Sequence, residues 1–229
     1  MDLYAVYGAG GFGREMMYVA RQQLRAQGVS PDQVIFVDDA VKENQLINGQ
    51  RSMPATDFLA LQSVQRHAVL AIANSEIRER LALRCVEHGI KLWSLCAETA
   101  LIMDGVEIGE GAILAPFVNL TANIRIGKQF HANSYSYVMH DCVIGDFVTF
   151  APGVKCNGNV VIEDHAYIGA GAVIKQGVPG KPRVIGRGAV IGMGAVVTRD
   201  VAPGVTVVGN PARPMSVAAK MSSVSASTD

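Results

Sequence analysis

Residues 106–126 read VEIGEGAILAPFVNLTANIRI. Every sixth residue from Val106 is apolar: Ala112, Val118 and Ile124 follow it. A second series, two places on, runs Ile108, Leu114, Leu120, Ile126. The first continues through Phe130, Ser136, Cys142, Val148, Val154, Val160, Ala166, Ala172 and Val178. The second continues through Ala132, Val138, Ile144, Phe150, Cys156, Ile162, Ile168 and Ile174. Only Ser136 is polar. Residues two apart lie on one face of a strand. A period of six is then a short inward face, a corner and a new face, and three faces close a triangular coil of about 18 residues. Gly109, Asn123, Gly127, Gly145, Asn159, Gly169 and Gly171 fall at the corners, where left-handed backbone is needed. The stretch predicts a parallel β-helix whose narrow core suits small residues, in keeping with 24 glycines and few aromatic rings.

Beyond Ala172 the register slips. Ala189, Ile191, Ala195 and Val197 resume the small–large pattern, but Ala172 to Ala189 is 17 residues, one short of a coil. The segment Gly177–Arg183 carries the slip and is expected to project as a loop, taking Val178 with it. The serine-rich tail over 216–229 is expected to be disordered.

Working toward the N-terminus, the pattern changes to alternating strands and helices. Leu3–Tyr7 is a short apolar strand, followed by Gly8-Ala9-Gly10-Gly11-Phe12-Gly13 and a helical pattern to Leu24. Val34–Val37 is a second strand ending in Asp38-Asp39. Ala55–Gln65 reads as helix, Ala68–Ala73 as a third strand closed by Asn74, and Ser75 as the cap of a helix to about His88. Lys91–Leu95 reads as a fourth strand. Such alternation implies a small parallel sheet with helices on both faces. The fold class is therefore α/β plus all-β: a Rossmann-like N-terminal domain over 1–97 and a β-helix over 98–215. The glycines of GxGxxG, between strand and helix, allow close approach of a phosphate to free N–H groups. With about four strands, the unit suits one nucleotide rather than two, and Asp38 or Asp39 could hold a ribose or base edge.

The 20 acidic and 20 basic residues balance, which argues against a nucleic-acid partner. No apolar run reaches the roughly 20 residues of a membrane span. No secretory signal is recognisable at the N-terminus. Cys85, Cys96, Cys142 and Cys156 lack paired spacing and read as free thiols in a reducing cytoplasm, and no metal site is expected.

His67, His88, His131 and His165 read as surface residues. His140 differs: it occupies a corner, and Asp141 follows it and can fix its tautomer. One coil of about 18 residues above His140 stands Gly158, placing that backbone at the same corner about one strand spacing (~4.8 Å) away. A base beside a free N–H is what acyl transfer requires. Cys142 points inward, so an acyl-enzyme is not expected.

Val138-Met139-His140-Asp141-Cys142-Val143-Ile144-Gly145 resembles the catalytic segment of bacterial sugar-nucleotide acetyltransferases, the bacillosamine and perosamine N-acetyltransferases and the related sialic acid O-acetyltransferases. The glycine loop, Val37-Asp38-Asp39, Ala73–Arg78 and Val208-Gly209-Asn210-Pro211-Ala212-Arg213 extend the resemblance over most of the chain. It implies a left-handed β-helix, a homotrimer with the site between neighbouring β-helices, and acetyl-CoA as co-substrate. It implies His140 as general base with Asp141 its partner, and acetyl-CoA against Gly158, Ala170, Gly194 and Thr149. A nucleotide-linked amino sugar (UDP, GDP or dTDP, 4-amino in the simplest case) would lie against Gly8, Gly10, Phe12, Gly13, Asp38, Asp39, Asn74 and Arg78. Relatives often have histidine where this chain has Phe12 and Thr149, and the Gly177–Arg183 segment is longer than in the bacillosamine enzymes. The expected reaction is direct N-acetylation. O-acetylation of a sugar hydroxyl and a non-enzymatic nucleotide-sugar-binding scaffold are the alternatives.

Overall fold

The structure is a computed structural model and describes residues 2–62 and 64–215. The expected disordered tail lies outside the described residues. The first unit holds β1 (Asp2–Tyr7), α1 (Gly11–Ala26), β2 (Val34–Asp38), β3 (Gln45–Ile47), β4 (Gln50–Pro54), α2 (Ala55–Ala60), β5 (Gln65–Leu70), α3 (Ser75–Glu87) and β6 (Lys91–Leu92). The sheet order is β3-β4-β2-β1-β5-β6, parallel except for β3. Alternate side chains of the central strands go to opposite faces. Val6, Phe36 and Val69 pack on Met16, Val19, Ala20 and Leu24 of α1. Ala5, Tyr7, Ile35 and Leu70 pack on Phe58, Leu81 and Cys85 of α2 and α3.

Several sequence expectations are corrected here. Six strands, not four, form the sheet. The β3–β4 hairpin turns through Asn48 and Gly49, both at positive φ (50° and 75°), the pair that a tight hairpin favours. The helix expected over Ala55–Gln65 stops at Ala60, and Gln65 begins β5. Asn74, not Ser75, caps α3: its Oδ1 accepts from Ile77 N–H at 3.0 Å. The fourth strand is cut to Lys91–Leu92, because Leu95–Cys96 already pairs with Ile113–Leu114 as the first rung of the β-helix.

The β-helix has three sheets, parallel throughout but for Arg213–Pro214, which closes the first face antiparallel to Thr206–Val208. The first face holds 95–96, 113–114, 131–132, 149–150, 167–168, 190–191 and 206–208. The second holds 101–102, 119–120, 137–138, 155–156, 173–174 and 196–197. The third holds 106–108, 124–126, 143–144, 160–162 and 183–185. Rungs stack 18 residues apart, as in Ile113↔His131 and His131↔Thr149. Both predicted columns are buried from Ala112 and Leu114 through Ala172 and Ile174. Ser136 fits because its hydroxyl donates to Ala151 O at 3.0 Å and accepts from Val154 N–H at 3.1 Å, so no buried polar atom is left unpaired.

The corners obey a stricter rule than the sequence reading gave them. A left-handed residue recurs every six places: Gly105, Gly111, Phe117, Asn123, Gln129, Tyr135, Asp141, Phe147, Gly153, Asn159, His165, Gly171. Gly109, Gly127, Gly145 and Gly169 are not among them. They are glycines for another reason: a Cβ on Gly127 would stand 2.8 Å from the Gly145 carbonyl carbon, so the coils could not approach.

The slip is also corrected. Ala189 stacks over Ala166, not Ala172, since Tyr167 pairs with Val190 and Val173 with Val196. That coil is not one residue short; against the 18-residue rung it is 190 − 167 = 23 residues, five longer. The extra residues form the Gly177–Arg183 loop, and Val178 is exposed as expected.

Candidate active site

His140 lies at the corner between the second and third faces, and Asp141 occupies the left-handed position there (φ 58°). That backbone turn swings the carboxylate back to its neighbour. Asp141 Oδ2 meets His140 Nδ1 at 2.8 Å, and its Oδ1 accepts from Asn123 Nδ2, one coil below, at 3.3 Å. These bonds, that from His140 first, hold the Asp141 carboxyl below its usual range, so it stays ionised. With Nδ1–H donating to Asp141, Nε2 carries the free lone pair, and it has no protein partner among the described residues.

Gly158 stands beside His140 as the spacing predicts. A Cβ there would lie 2.6 Å from His140 Cε1 and 2.7 Å from Nε2, so the ring rests directly on the glycine. Asn159 N–H donates to His140 O at 3.0 Å and Gly177 N–H to Gly158 O at 3.1 Å. The Gly158 N–H makes no hydrogen bond among the described residues. The corner thus offers a base and an uncommitted backbone donor. Gly158→Ala should leave stability nearly intact, because the His140 side chain is 53% exposed and can swing away. Turnover should fall roughly 10²-fold from misplacement of the base, measurable as kcat beside an unchanged circular dichroism spectrum.

A second group gathers where the first unit covers the first face. Gly8 (φ 108°) and Gly13 are sterically required, since a Cβ on Gly13 would collide with Gly8 O. Gly10 has open space and serves as the N-cap of α1 without a side-chain cap, leaving the first N–H groups of the helix available to an anion. Asp38 braces the loop: Oδ2 accepts from Ala9 N–H at 2.7 Å and Oδ1 from Ala40 N–H at 2.8 Å, tying β2 to the glycine loop. Asp39 accepts from Tyr7 Oη at 3.0 Å and from Arg84 at 3.2 Å, on the α3 side of the sheet.

Arg78 is corrected. It is wholly buried, with Nη1 donating to Ile72 O (2.6 Å) and Ala73 O (3.2 Å), and Nη2 to Phe147 O (2.7 Å) and Thr149 Oγ1 (3.0 Å). It rivets α3 to the β-helix instead of presenting a cation to substrate. Burial lowers its pKa to about 9, still above neutrality, so it remains charged. His131 is corrected from surface residue to buried one: it points out of the first face, but Phe12 covers it at 5.5 Å between ring centroids. Burial first, and Arg78 second, hold its pKa well below the ordinary value, so it is neutral. His165 also leaves the surface class. It stacks on Phe147 at 5.3 Å and meets Glu79 at 3.5 Å.

Asn74, Ser75, Glu76, Thr149, His165 and Tyr167 line a cleft of about 350 Å³ between the α3 N-terminus and the first face. The sequence reading gave Asn74 to the nucleotide sugar and Thr149 to acetyl-CoA; the structure brings the two together in this cleft, with Glu76, His165 and Tyr167, which that reading missed. The 18-residue step from Phe147 and Thr149 to His165 and Tyr167 was the signal available. Ala170 and Gly194 sit together at the corner between the first and second faces, with Gly194 N–H donating to Ala170 O at 2.8 Å. One chain therefore joins His140, Asp141 and Gly158 at one corner, and Ala170 with Gly194 at another. The glycine loop, Phe12, Asn74 and Thr149 lie over the first face. These three groups do not converge within a single chain.

Residues 4–85 match the PglD N-terminal domain, and residues 159–199 match the hexapeptide repeat of succinyl-transferase. The chain is 50% identical over 215 residues to GDP-perosamine N-acetyltransferase of Escherichia coli O157:H7, covering 94% of this chain and 97% of that protein. Among solved structures it is similar to WeeI from Acinetobacter baumannii AYE, at 53% identity and a TM-score of 0.90, over 94% of this chain and all of that one (100%). It is also similar to the acetyltransferase domain of PglB from Neisseria gonorrhoeae FA1090 in complex with acetyl coenzyme A. There the identity is 29% and the TM-score 0.80, over 93% of this chain and 98% of that one.

Proposed function

The chain belongs to the bacterial hexapeptide-repeat sugar-nucleotide N-acetyltransferases, and from that premise we propose that it acetylates the amine of a GDP-linked amino sugar, GDP-perosamine or a close analogue, with His140 as general base. The observation that carries the reading is the corner at which Asp141, His140 and Gly158 meet.

The roles follow from the geometry. Asp141 fixes His140 with Nδ1 protonated and Nε2 open. A sugar amine with a pKa near roughly 8 is mostly protonated at neutral pH. His140 Nε2 takes its proton, and the freed nitrogen attacks the thioester carbonyl of acetyl-CoA. The oxyanion of the tetrahedral intermediate accepts the Gly158 N–H. The attacking nitrogen releases its second proton to solvent, collapse breaks the carbon–sulfur bond, and the departing CoA thiolate recovers the proton held by His140. The glycine loop and the open α1 N-terminus suit the diphosphate, and the cleft at Asn74, Glu76 and Thr149 suits the sugar. Where histidine is replaced by Phe12 and Thr149, this chain offers only an apolar ring and a hydroxyl, so His140 is left as the base.

A homotrimer completes the site. Because the nucleotide-sugar end and the His140 corner lie on different faces of one β-helix, a neighbouring copy must bring them together. The absence among the described residues of any helix long and apolar enough to cross a membrane is compatible with work in the cytoplasm on sugars destined for a surface polysaccharide.

The test is thiol release from acetyl-CoA with UDP-, GDP- and dTDP-linked amino sugars, beside the corresponding hydroxy sugars. Release with the GDP-linked amine alone is the expected result. Release with the hydroxy sugars but not the amines would replace N-acetylation by O-acetylation. Nucleotide-sugar binding without any thiol release would replace the enzyme by a binding scaffold.

A further inference from the structure

At the His140 corner one backbone donor is free and its two neighbours are spent. Asn157 N–H donates to Ile174 O at 3.3 Å and Asn159 N–H to His140 O at 3.0 Å. The Gly158 N–H is left alone to face the reacting carbonyl. A tetrahedral oxyanion gathers its charge on one oxygen and is stabilised by several donors aimed at that atom. A second donor from this chain must therefore be a side chain.

The register says which side chains are placed for it. Tyr137 pairs with Lys155 and Val138 with Cys156, so Met139 lies beneath Asn157 and His140 beneath Gly158. Val138 and Cys156 are buried in the core, and Tyr137 projects from the second face, half-buried. Its ring runs diagonally over that face: Tyr137 Oη donates to Asn157 Oδ1 at 3.4 Å, one rung up and two places nearer the corner. Asn157 is fixed from its other end, because Nδ2 donates to Ile174 O at 2.8 Å. The amide thus turns its oxygen to the phenol, and the phenol aims its hydrogen at the residue before Gly158. A strong O–H···O contact is roughly 2.7–2.8 Å long, so at its greater length this bond aims the hydroxyl without committing it. The other hydroxyls of residues 131–166 stand elsewhere. Ser136 is buried and donates to Ala151 O, Thr149 belongs to the first face, and Ser134 and Tyr135 stand at the corner between the first and second faces. Thr121 lies beneath Met139, two rungs or about 10 Å below Gly158. Lys155 shares the second face, but no bond among the described residues directs its ammonium.

We propose that Tyr137 is a further catalytic residue, whose hydroxyl turns from Asn157 to donate the second hydrogen bond to the oxyanion held by the Gly158 N–H. The inference rests on the acetyl-transfer reading above and completes its oxyanion site. No covalent bond changes at the phenol. It donates a hydrogen bond while the carbonyl oxygen carries charge, and returns that bond to Asn157 when the intermediate collapses. A donor of this kind binds the transition state more tightly than the neutral thioester, so its loss falls on kcat and spares KM.

The test is Tyr137→Phe in the full-length chain, beside Asn157→Ala and Lys155→Gln. Steady-state thiol release gives kcat, and KM for acetyl-CoA and for the nucleotide sugar. Tyr137→Phe should lower kcat roughly 10²-fold and leave both KM values within about twofold of wild type. The limb of the kcat–pH profile that reports His140 should keep its wild-type position, because the base is untouched. Asn157→Ala removes the aim and keeps the donor, so it should lose less than Tyr137→Phe. Equal losses in those two variants would make the phenol a prop for Asn157 and overturn the inference. So would a Tyr137→Phe kcat equal to the wild-type value, or a fall with Lys155→Gln in place of Tyr137→Phe. In all three cases the wild type still releases thiol, and the enzyme reading stands. A wild type that releases no thiol overturns the enzyme reading itself and this inference with it.

Discussion

Replacing His140 by alanine should lower kcat by roughly 10²–10⁴-fold and leave nucleotide-sugar binding as it was. The size follows from the chemistry: the attacking amine arrives protonated, and no second imidazole stands at that corner. His131 is buried and neutral on another face, and His165 is stacked on Phe147. Asp141 remains in the variant without its bond from His140, the chief cause of its lowered pKa in the wild type, but even an ordinary carboxylate is far less basic than an imidazole. A weakly basic carboxylate is a poor substitute for an imidazole. Binding should survive because the glycine loop and the Asn74 cleft contain no atom of His140. Steady-state thiol release gives kcat, and calorimetric titration with the nucleotide sugar gives Kd. Retained kcat would remove His140 from the mechanism.

The second large effect is structural. Arg78→Met should cost roughly 3–5 kcal/mol of stability, read as the shift in denaturant midpoint multiplied by the slope. Methionine fills most of the space but donates nothing. Ile72 O and Phe147 O would lose their partner, and Thr149 Oγ1 would lose its donor. Since Ile72 and Ala73 belong to the first unit and Phe147 and Thr149 to the β-helix, the loss should fall on the junction. The Asn74 cleft should loosen, raising the sugar-nucleotide KM even where the variant folds. Arg78→Lys should recover only part, because an ammonium cannot span four acceptors in one plane. A stability unchanged by methionine would show that the junction is held by apolar packing alone.

Much of this was legible in the chain. The two inward columns were, because burial on every rung leaves a period that no surface requirement disturbs. The Gly158 position was, because a fixed 18-residue rung converts sequence distance into spatial adjacency. The length of the inserted coil was not. Ala166 and Ala172 have the same character, so nothing local says which of them Ala189 covers; only the strand pairing decides. Corner glycines were read for φ alone, and four of the five answer to the approach of the next coil. His131 was given its correct direction, outward from the first face, and the wrong surroundings, because no residue pattern records that the first unit docks there. The same docking buries Arg78. The bracing bond from Ala9 N–H to Asp38 was not legible, because a carboxylate after a strand has more than one use. Asn48-Gly49 did carry its message, a tight hairpin, and was passed over.

The most direct test of the central claim is the product formed from GDP-perosamine and acetyl-CoA, identified by mass spectrometry and by nuclear magnetic resonance of the acetylated position. The account predicts one acetyl group per CoA released, joined to the sugar nitrogen as an amide. An ester at a sugar hydroxyl, or an unchanged sugar with no CoA released, would contradict it.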